Sequence, residues 1–347
     1  MRPTLASAPP GVDALTIAKL LASSGLRRWL HVALDDTQAA RLADCLAFFA
    51  PEVEVLVFPA WDCLPYDRVS PHRDIVARRL DVLTRLMQPV GAKKSGRPQV
   101  VVTTVNALLQ RVPAPEALEG RIMLLKAGER VPAERLNGFF AENGYYRVET
   151  VGEPGEFAVR GGIVDVFPPG EEQPLRLDFF GDDLESLRRF DPLTQRTTGS
   201  ATELALKPVS EVILDPAAVE RFRTRYREAF GAVRDDPLYE AVSAARAHPG
   251  MEHWLPLYHQ RLVTLLDYLP EAGVTLDYQA LEARDARLET IADFHEARRQ
   301  IEGGGDSGGW VYKALAPEAL YLAAAEWDSG LAARPGGDFT PFAAPDG

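Results

Sequence analysis

Acidic residues, histidines and cysteines are the side chains of this sequence that could carry out catalysis. Asp35 and Asp36 end the stretch "HVALDD" and could hold magnesium. A carboxylate at the start of a helix also accepts backbone N–H groups and offsets the helix dipole, and the amphipathic stretch that follows favours this capping role. The six histidines and two cysteines show neither an HExxH pattern nor a Cys/His ligand spacing. The sequence therefore predicts no metal site and no catalytic residue.

A phosphate-binding loop would indicate that the chain binds and hydrolyses a nucleotide. Such a loop needs the pattern GxxxxGK followed by Ser or Thr, because glycine amides wrap the phosphates while the lysine and the hydroxyl handle charge and magnesium. No stretch of the 347 residues matches this pattern. We therefore expect this chain to hold no nucleotide cofactor.

Binding residues are predicted in the stretch "PLRLDFF". Successive side chains of a strand point to opposite faces, so this stretch divides into two sets. The set predicted to face the core is Leu175, Leu177 and Phe179. The set on the other face is Arg176, Asp178 and Phe180. In "FAVRGG" the same rule turns Arg160 outward, and the candidate binding residues are therefore Arg160, Arg176 and Phe180.

Two interpretations of this outward set are open. Arginine and aromatic residues are enriched at interface hot spots, where truncation of one side chain costs about 2 kcal/mol or more, and this favours a protein-docking face. Alternatively, Arg176 pairs with Asp178 or Glu185 across the sheet and Phe180 covers a hairpin edge. Cross-strand pairs of that kind contribute about 0.2 to 1 kcal/mol. The alternation of side chains does not distinguish the two.

The strands that must position these residues belong to the second of three regions. From Arg28 to Val112, β-rich runs such as "QVVVTT" alternate with amphipathic stretches, which indicates a parallel α/β sheet. From about Gly120 to Lys207 the apolar period becomes two, with Gly, Pro and Asp turns, and one helix is predicted near Ala133 to Asn143. Helical patterns return from about Pro208, with one short strand near "GVTLD".

The predicted fold class is therefore α/β, with a parallel-sheet domain that is split in sequence by a small inserted α+β domain carrying an antiparallel sheet. Residues 1–119 and 208–330 are predicted to form the two parts of the α/β domain, and residues 120–207 the inserted domain. Residues 331–347 are predicted to be a linker or tail, because "ARPGGDFTPFAAPDG" shows no periodicity.

Composition and charge limit the possible functions. The chain is 46% apolar and 25% charged, as is typical of globular proteins. The net charge of −12 argues against a surface that holds nucleic-acid phosphates, which is built from Lys and Arg. Two cysteines are too few for a disulfide framework, and no apolar run reaches the roughly 20 residues that span a membrane. The first residues lack the apolar segment of a signal peptide, so we expect a cytoplasmic protein.

Three stretches resemble the N-terminal region of the bacterial transcription-repair coupling factor (Mfd) family. They are "FPAWDCLPYDRVSPHRDIVARRLDVLTRL", "VVTTVNALLQRV" and "GEFAVRGGIVDVFPPGEEQPLRLDFFGDDLESLRRFDPLTQRT". The resemblance covers nearly the whole chain in order. It implies first domains similar to those of the excision-repair helicase UvrB, with an inserted domain that binds the damage-recognition ATPase UvrA at the positions of Arg160, Arg176 and Phe180. UvrB has a phosphate loop where this chain has "APPGVDALTIAKL", and a long aromatic hairpin for which this chain has few residues to spare.

The resemblance implies a non-catalytic adaptor that recruits UvrA to stalled RNA polymerase in transcription-coupled nucleotide excision repair. The family's ATP- and Mg-dependent translocase motor, and its contacts with RNA polymerase and DNA, are expected in other segments of the full-length protein. Other domains are expected to mask the docking face. Two alternatives stay open: a divergent UvrB-type helicase module that binds nucleotide and damaged DNA, and a scaffold that only shields the motor.

Overall fold

The computed structural model describes residues 3–6, 11–89, 96–231, 235–303 and 312–342 of the chain. The strands, in chain order, are β1 (Thr4–Leu5), β2 (Arg28–Ala33), β3 (Glu54–Phe58), β4 (Gln99–Thr104), β5 (Val112–Pro113), β6 (Met123–Lys126), β7 (Tyr146–Arg147), β8 (Glu156–Arg160), β9 (Ile163–Val166), β10 (Leu175–Phe180), β11 (Asp183–Phe190), β12 (Thr197–Ala201), β13 (Glu203–Leu206), β14 (Leu262–Val263), β15 (Gly273–Leu276) and β16 (Gly336–Phe339).

The helices, in the same order, are α1 (Val12–Ser24), α2 (Asp36–Phe49), α3 (Arg73–Leu86), α4 (Val105–Leu109), α5 (Pro115–Leu118), α6 (Ala133–Glu142), α7 (Pro216–Phe230), α8 (Pro237–Ser243), α9 (Leu255–Tyr258), α10 (Ala280–Gly303), α11 (Pro317–Leu320) and α12 (Ala324–Ala332). Two 3₁₀ turns lie at Met251–Trp254 and Leu265–Tyr268. The Asp35 carboxylate accepts a hydrogen bond from Gln38 N at 2.8 Å and caps α2, as predicted. None of the described helices is both long enough and apolar enough to cross a membrane.

A six-stranded parallel sheet forms the first layer, in the order β1-β16-β15-β2-β4-β3. Its central strands β2 and β4 are almost completely buried, because helices cover both faces. Leu30 and Val101 pack in the core on one face, and their neighbours Trp29 and Val100 pack in the core on the other. A strand buried on both sides reads as a continuous apolar run, which is why these strands are visible in the sequence.

A second six-stranded sheet has the order β12-β11-β10-β9-β8-β7. All of its pairs are antiparallel except β7 with β8. One face packs on α6, where Phe139 and Phe140 meet the fully buried Leu175 and Leu177. The other face carries the candidate binding residues.

The predicted α/β class is confirmed, with a parallel sheet and a separate antiparallel sheet. The domain limits stay predictions. The expectation of a linker or tail from residue 331 was wrong for Gly336–Phe339, which form β16 between β1 and β15. A Cβ on Gly337 would lie 2.4 Å from the Pro3 carbonyl oxygen, so glycine permits the close approach of these strands. "GGDF" has weak strand propensity, and pairing with distant strands stabilises it.

Two buried ion pairs join α3 to the chain that leaves the antiparallel sheet. Arg79 Nε lies 2.8 Å from Glu211 Oε1, and neither side chain is exposed. Trp61 Nε1 donates to the second carboxylate oxygen of Glu211 at 2.8 Å. Two residues along α3 from Arg79, Asp81 pairs with Lys207. Both pairs tie α3 to the segment that follows β13, and separation of Arg79 from Glu211 would leave two buried charges unpaired.

Candidate docking face of the antiparallel sheet

The three predicted binding residues lie on one face of the antiparallel sheet. In one row of the register, Ala158, Asp165 and Arg176 are neighbours on β8, β9 and β10. In the next row Arg160 pairs with Ile163, which in turn pairs with Asp178. Side chains two residues apart share a face, so Arg160 and Arg176 lie on the same side. The register shifts after Asp178, and Phe180 follows on that side at the end of β10.

Arg176 is held by a carboxylate that the sequence did not identify as its partner. Its Nε and Nη2 donate to Asp165 Oδ1 and Oδ2 at 2.7 and 2.9 Å. The guanidinium also lies 4.8 Å from the ring centre of the buried Phe190. These hydrogen bonds raise the pKa of Arg176 above its ordinary value. The predicted alternative of a pair with Asp178 or Glu185 was wrong in its partner, although Arg176 does make a cross-strand pair.

Asp178 is bound by a different arginine. Arg188 Nε and Nη2 donate to its two carboxylate oxygens at 2.8 and 2.7 Å, and Ser186 Oγ donates to one of them at 2.5 Å. Burial raises the pKa of Asp178, but the hydrogen bonds from Arg188 and Ser186 outweigh burial, so the pKa lies below its ordinary value. The face therefore carries two bidentate ion pairs side by side on three strands.

Arg160 lies exposed at the end of β8 and contacts uncharged acceptors. Its Nη2 donates to the Glu149 carbonyl oxygen and to Thr150 Oγ1, the latter at 3.3 Å. Within the part of the chain that the structure describes, no carboxylate lies within ion-pairing distance of this guanidinium. Arg160 thus differs from Arg176 and Arg188, which each hold an aspartate.

Phe180 is 76% exposed, which is unusual for an aromatic side chain in a strand. The turn Gly161–Gly162 lies beside this end of β10, since Phe179 N donates to the Gly162 carbonyl at 2.7 Å. A Cβ on Gly162 would lie 2.6 Å from the Phe179 carbonyl oxygen, whereas a Cβ on Gly161 would meet no atom within 4 Å. The turn therefore brings the backbone close and adds no side chain that would cover the ring. Ile163, 37% exposed, is the next apolar side chain on this face.

The opposite side of β10 agrees with the alternation. Leu175 and Leu177 are fully buried, and Phe179 is partly buried against the same core. Sequence reasoning missed Asp165, Ile163 and Arg188 on the candidate face. Period two in "GGIVDVF" and "DLESLRRF" could have placed them on a face, but the register needed to join them to Arg176 and Asp178 is not local information.

Three strongly shifted titratable groups lie away from this face, in the core around the 3₁₀ turn Met251–Trp254. Burial lowers the pKa of His253 and His259 to about 4. Burial raises the pKa of Glu252 to about 7, although Ser70 Oγ donates to its carboxylate at 2.7 Å. Glu252 lines a cleft of about 610 Å³ whose other wall includes Tyr145 and Tyr146.

A family model described as the UvrB interaction domain matches residues 123–211, which include every residue of the candidate face. Similarity also extends along most of the chain. A transcription-repair-coupling factor of Haemophilus influenzae is 34% identical over 315 residues, covering 90% of this chain and 26% of the relative. The corresponding protein of Escherichia coli is 36% identical over 267 residues, covering 76% of this chain and 23% of the relative.

The chain is homologous to the transcription-repair-coupling factors. The resemblance predicted from the sequence is thereby confirmed. A Myxococcus xanthus transcription-repair-coupling factor shows 35% identity over 298 residues, covering 78% of this chain and 24% of the relative. The chain spans about a quarter of the length of the transcription-repair-coupling factors that it matches. The roles of Arg160, Arg176 and Phe180, and the absence of a cofactor, stay predictions.

Proposed function

We propose that this chain is the UvrA-docking module of a transcription-repair-coupling factor, and that it recruits UvrA to stalled RNA polymerase in transcription-coupled nucleotide excision repair. The observation that carries the proposal is Phe180, 76% exposed on a sheet face with Arg160 and Arg176, within the residues matched by the UvrB interaction domain. An exposed aromatic ring beside guanidinium groups is typical of interface hot spots.

The module is proposed to act without catalysis. At the start of α1, Asp13 Oδ1 accepts hydrogen bonds from Gly11 N at 2.9 Å and from Ala14 N at 2.8 Å. Arg41 Nη2 donates to the second oxygen of Asp13 at 2.6 Å. Backbone amides at a helix N-terminus are the groups that bind a phosphate, and here the chain's own carboxylate engages them. This geometry supports an adaptor over a nucleotide-binding helicase module.

The remaining partners belong to the longer protein in this proposal. ATP, magnesium, DNA and RNA polymerase are bound by other segments, in keeping with the net charge of −12 of this chain. Those other domains also cover the docking face in the resting protein. The isolated chain should then bind UvrA more tightly than the resting full-length protein does, and equal affinities would contradict masking.

Titration calorimetry of the purified chain with UvrA tests the proposal. Phe180→Ala should weaken binding about thirtyfold, the equivalent of about 2 kcal/mol, with an unchanged thermal melt because the ring packs little against its own chain. Leu193→Ala is the matched control, since Leu193 is 92% exposed in the turn after β11 at the other end of that strand. Absence of UvrA binding by the unsubstituted chain would leave the shielding scaffold as the better description.

A further inference from the structure

The docking face contains three arginines, of which two bind a carboxylate and one binds uncharged acceptors. Arg176 and Arg188 each bind an aspartate through two hydrogen bonds. Arg160 contacts only a carbonyl and a hydroxyl among the described residues. Charge on this part of the face is therefore balanced within the sheet except at Arg160.

Asp183, a carboxylate farther across this face, is too distant to neutralise Arg160. Asp183 pairs in register with Phe180 on β10, and its own strand β11 is the third from β8. At about 4.8 Å per strand this separation is about 14 Å, longer than a Debye length at physiological salt. A partner that covers Arg160 must bring its own negative charge or leave a guanidinium desolvated and unpaired.

Arg176 cannot offer the same contact without losing one that it already has. Its side chain is 19% exposed, whereas that of Asp165 is 2% exposed. Moving the guanidinium toward a partner would leave a buried carboxylate without its cation, which is strongly unfavourable. Arg176 therefore stabilises the pairing of β9 with β10, the two strands that carry Ile163 and Phe180.

Ile163 and Phe180 form the apolar part of the exposed face. They lie on adjacent strands, Ile163 opposite Asp178 and Phe180 two residues beyond it, beside a glycine turn that adds no side chain. Such diagonal neighbours on adjacent strands are within reach of an aromatic side chain. Together they present apolar surface on the same face as the guanidinium of Arg160.

On the basis of the function proposed above, we infer that Arg160, Ile163 and Phe180 make the direct contact, and that UvrA presents a carboxylate beside an apolar pocket to them. Arg176 is a positioning residue that acts through Asp165. Of the three binding residues predicted from the sequence, Arg160 and Phe180 thus contact UvrA directly, whereas Arg176 positions the strands.

The ionic contact is tested by the salt dependence of UvrA binding. Arg160→Gln should weaken binding about tenfold at low ionic strength and flatten the dependence of the dissociation constant on NaCl concentration, because the screened charge pair is gone. Arg196→Gln removes the same charge from an exposed residue in the turn after β11 and should change the affinity less than about twofold. An unchanged salt dependence in Arg160→Gln would overturn the inference.

The positioning role is tested by rescue. Arg176→Ala should lower both the melting temperature and the UvrA affinity, because it leaves the buried Asp165 carboxylate without a cation. Adding Asp165→Val should restore both, because no buried charge then remains. If the double variant regains its melting temperature but still binds weakly, Arg176 contacts UvrA directly and the inference is wrong.

The two levels of the proposal fail in different ways. No UvrA binding by the unsubstituted chain refutes the docking function itself. Binding that tolerates Arg160→Gln and Ile163→Ala leaves the docking function in place and refutes the assignment of the contact.

Discussion

Replacing the buried Glu252 by glutamine should stabilise the protein, and by an amount that grows with pH. Glutamine has nearly the same shape and can still accept the hydrogen bond from Ser70, but it cannot ionise. Burial raises the pKa of Glu252 from 4.5 to about 7. Because the folded pKa lies above the unfolded one, the contribution of Glu252 to stability is fully present below pH 4.5 and is lost as the pH rises through about 7.

The magnitude follows from those two pKa values. One unit of pKa shift corresponds to about 1.36 kcal/mol. The rise in the pKa of Glu252 from 4.5 to about 7 therefore makes the native chain about 3 kcal/mol less stable at pH 8 than a chain with an uncharged side chain at this position. At pH 5 the unfolded carboxyl is only partly more ionised than the folded one, so the expected difference is about 1 kcal/mol. Glu252→Gln should therefore unfold at higher urea concentration than the native chain, with a gap that widens from pH 5 to pH 8.

Urea denaturation of both chains at several pH values measures this gap. His253 and His259 titrate with a pKa of about 4 in both chains and cancel in the comparison. Glu289→Gln, on an exposed residue of α10, is the control and should show no pH-dependent gain. Parallel curves for the native chain and Glu252→Gln between pH 5 and pH 8 would refute the assignment of a raised pKa to this carboxyl.

Two further substitutions test the buried ion pair between Arg79 and Glu211 and the turn Gly161–Gly162. Glu211→Ala leaves the Arg79 guanidinium buried without its carboxylate and should cost about 3 to 5 kcal/mol in urea denaturation, whereas Glu116→Ala, which breaks an exposed ion pair, should cost little. A loss as small as that of Glu116→Ala would contradict the buried pair. Gly162→Ala should lower the melting temperature, since its Cβ would lie 2.6 Å from a carbonyl oxygen of β10, and Gly199→Ala, with no atom within 4 Å, should change it less.

Local patterns predicted those parts of the fold that depend on neighbours in sequence. The alternation in "PLRLDFF" identified the buried Leu175 and Leu177 and the exposed Phe180, because side-chain direction in a strand follows from period two. The apolar runs of β2 and β4 were visible because helices bury both faces. The cap at Asp35 was visible because it acts within one helical turn.

Features that depend on distant pairing could not be predicted. The partner of Arg176 is set by the register of β10 against β9, and a shift of two residues would have placed another side chain opposite it. Strand β16 has two glycines and no β-branched residue, so only its position between β15 and β1 reveals it. The pairing of Arg79 with Glu211 joins residues 132 positions apart, and charge type alone does not choose between the many acids of this chain.

Strand β16 also brings the first and last described strands of the chain into direct contact, since Thr4 pairs with Asp338 and Leu5 with Phe339. Closing so long a loop carries a large entropic cost during folding, although the cost rises only slowly with length. In a circularly permuted chain with new termini at the exposed turn near Leu193, a connection of about a dozen residues, as parallel neighbours require, would run from the end of β16 back to the start of β1. The contact between β1 and β16 would then be closer in sequence, whereas the pairing of β11 with β12 would become a distant one. The parallel sheet would keep its strand order while its contact order fell.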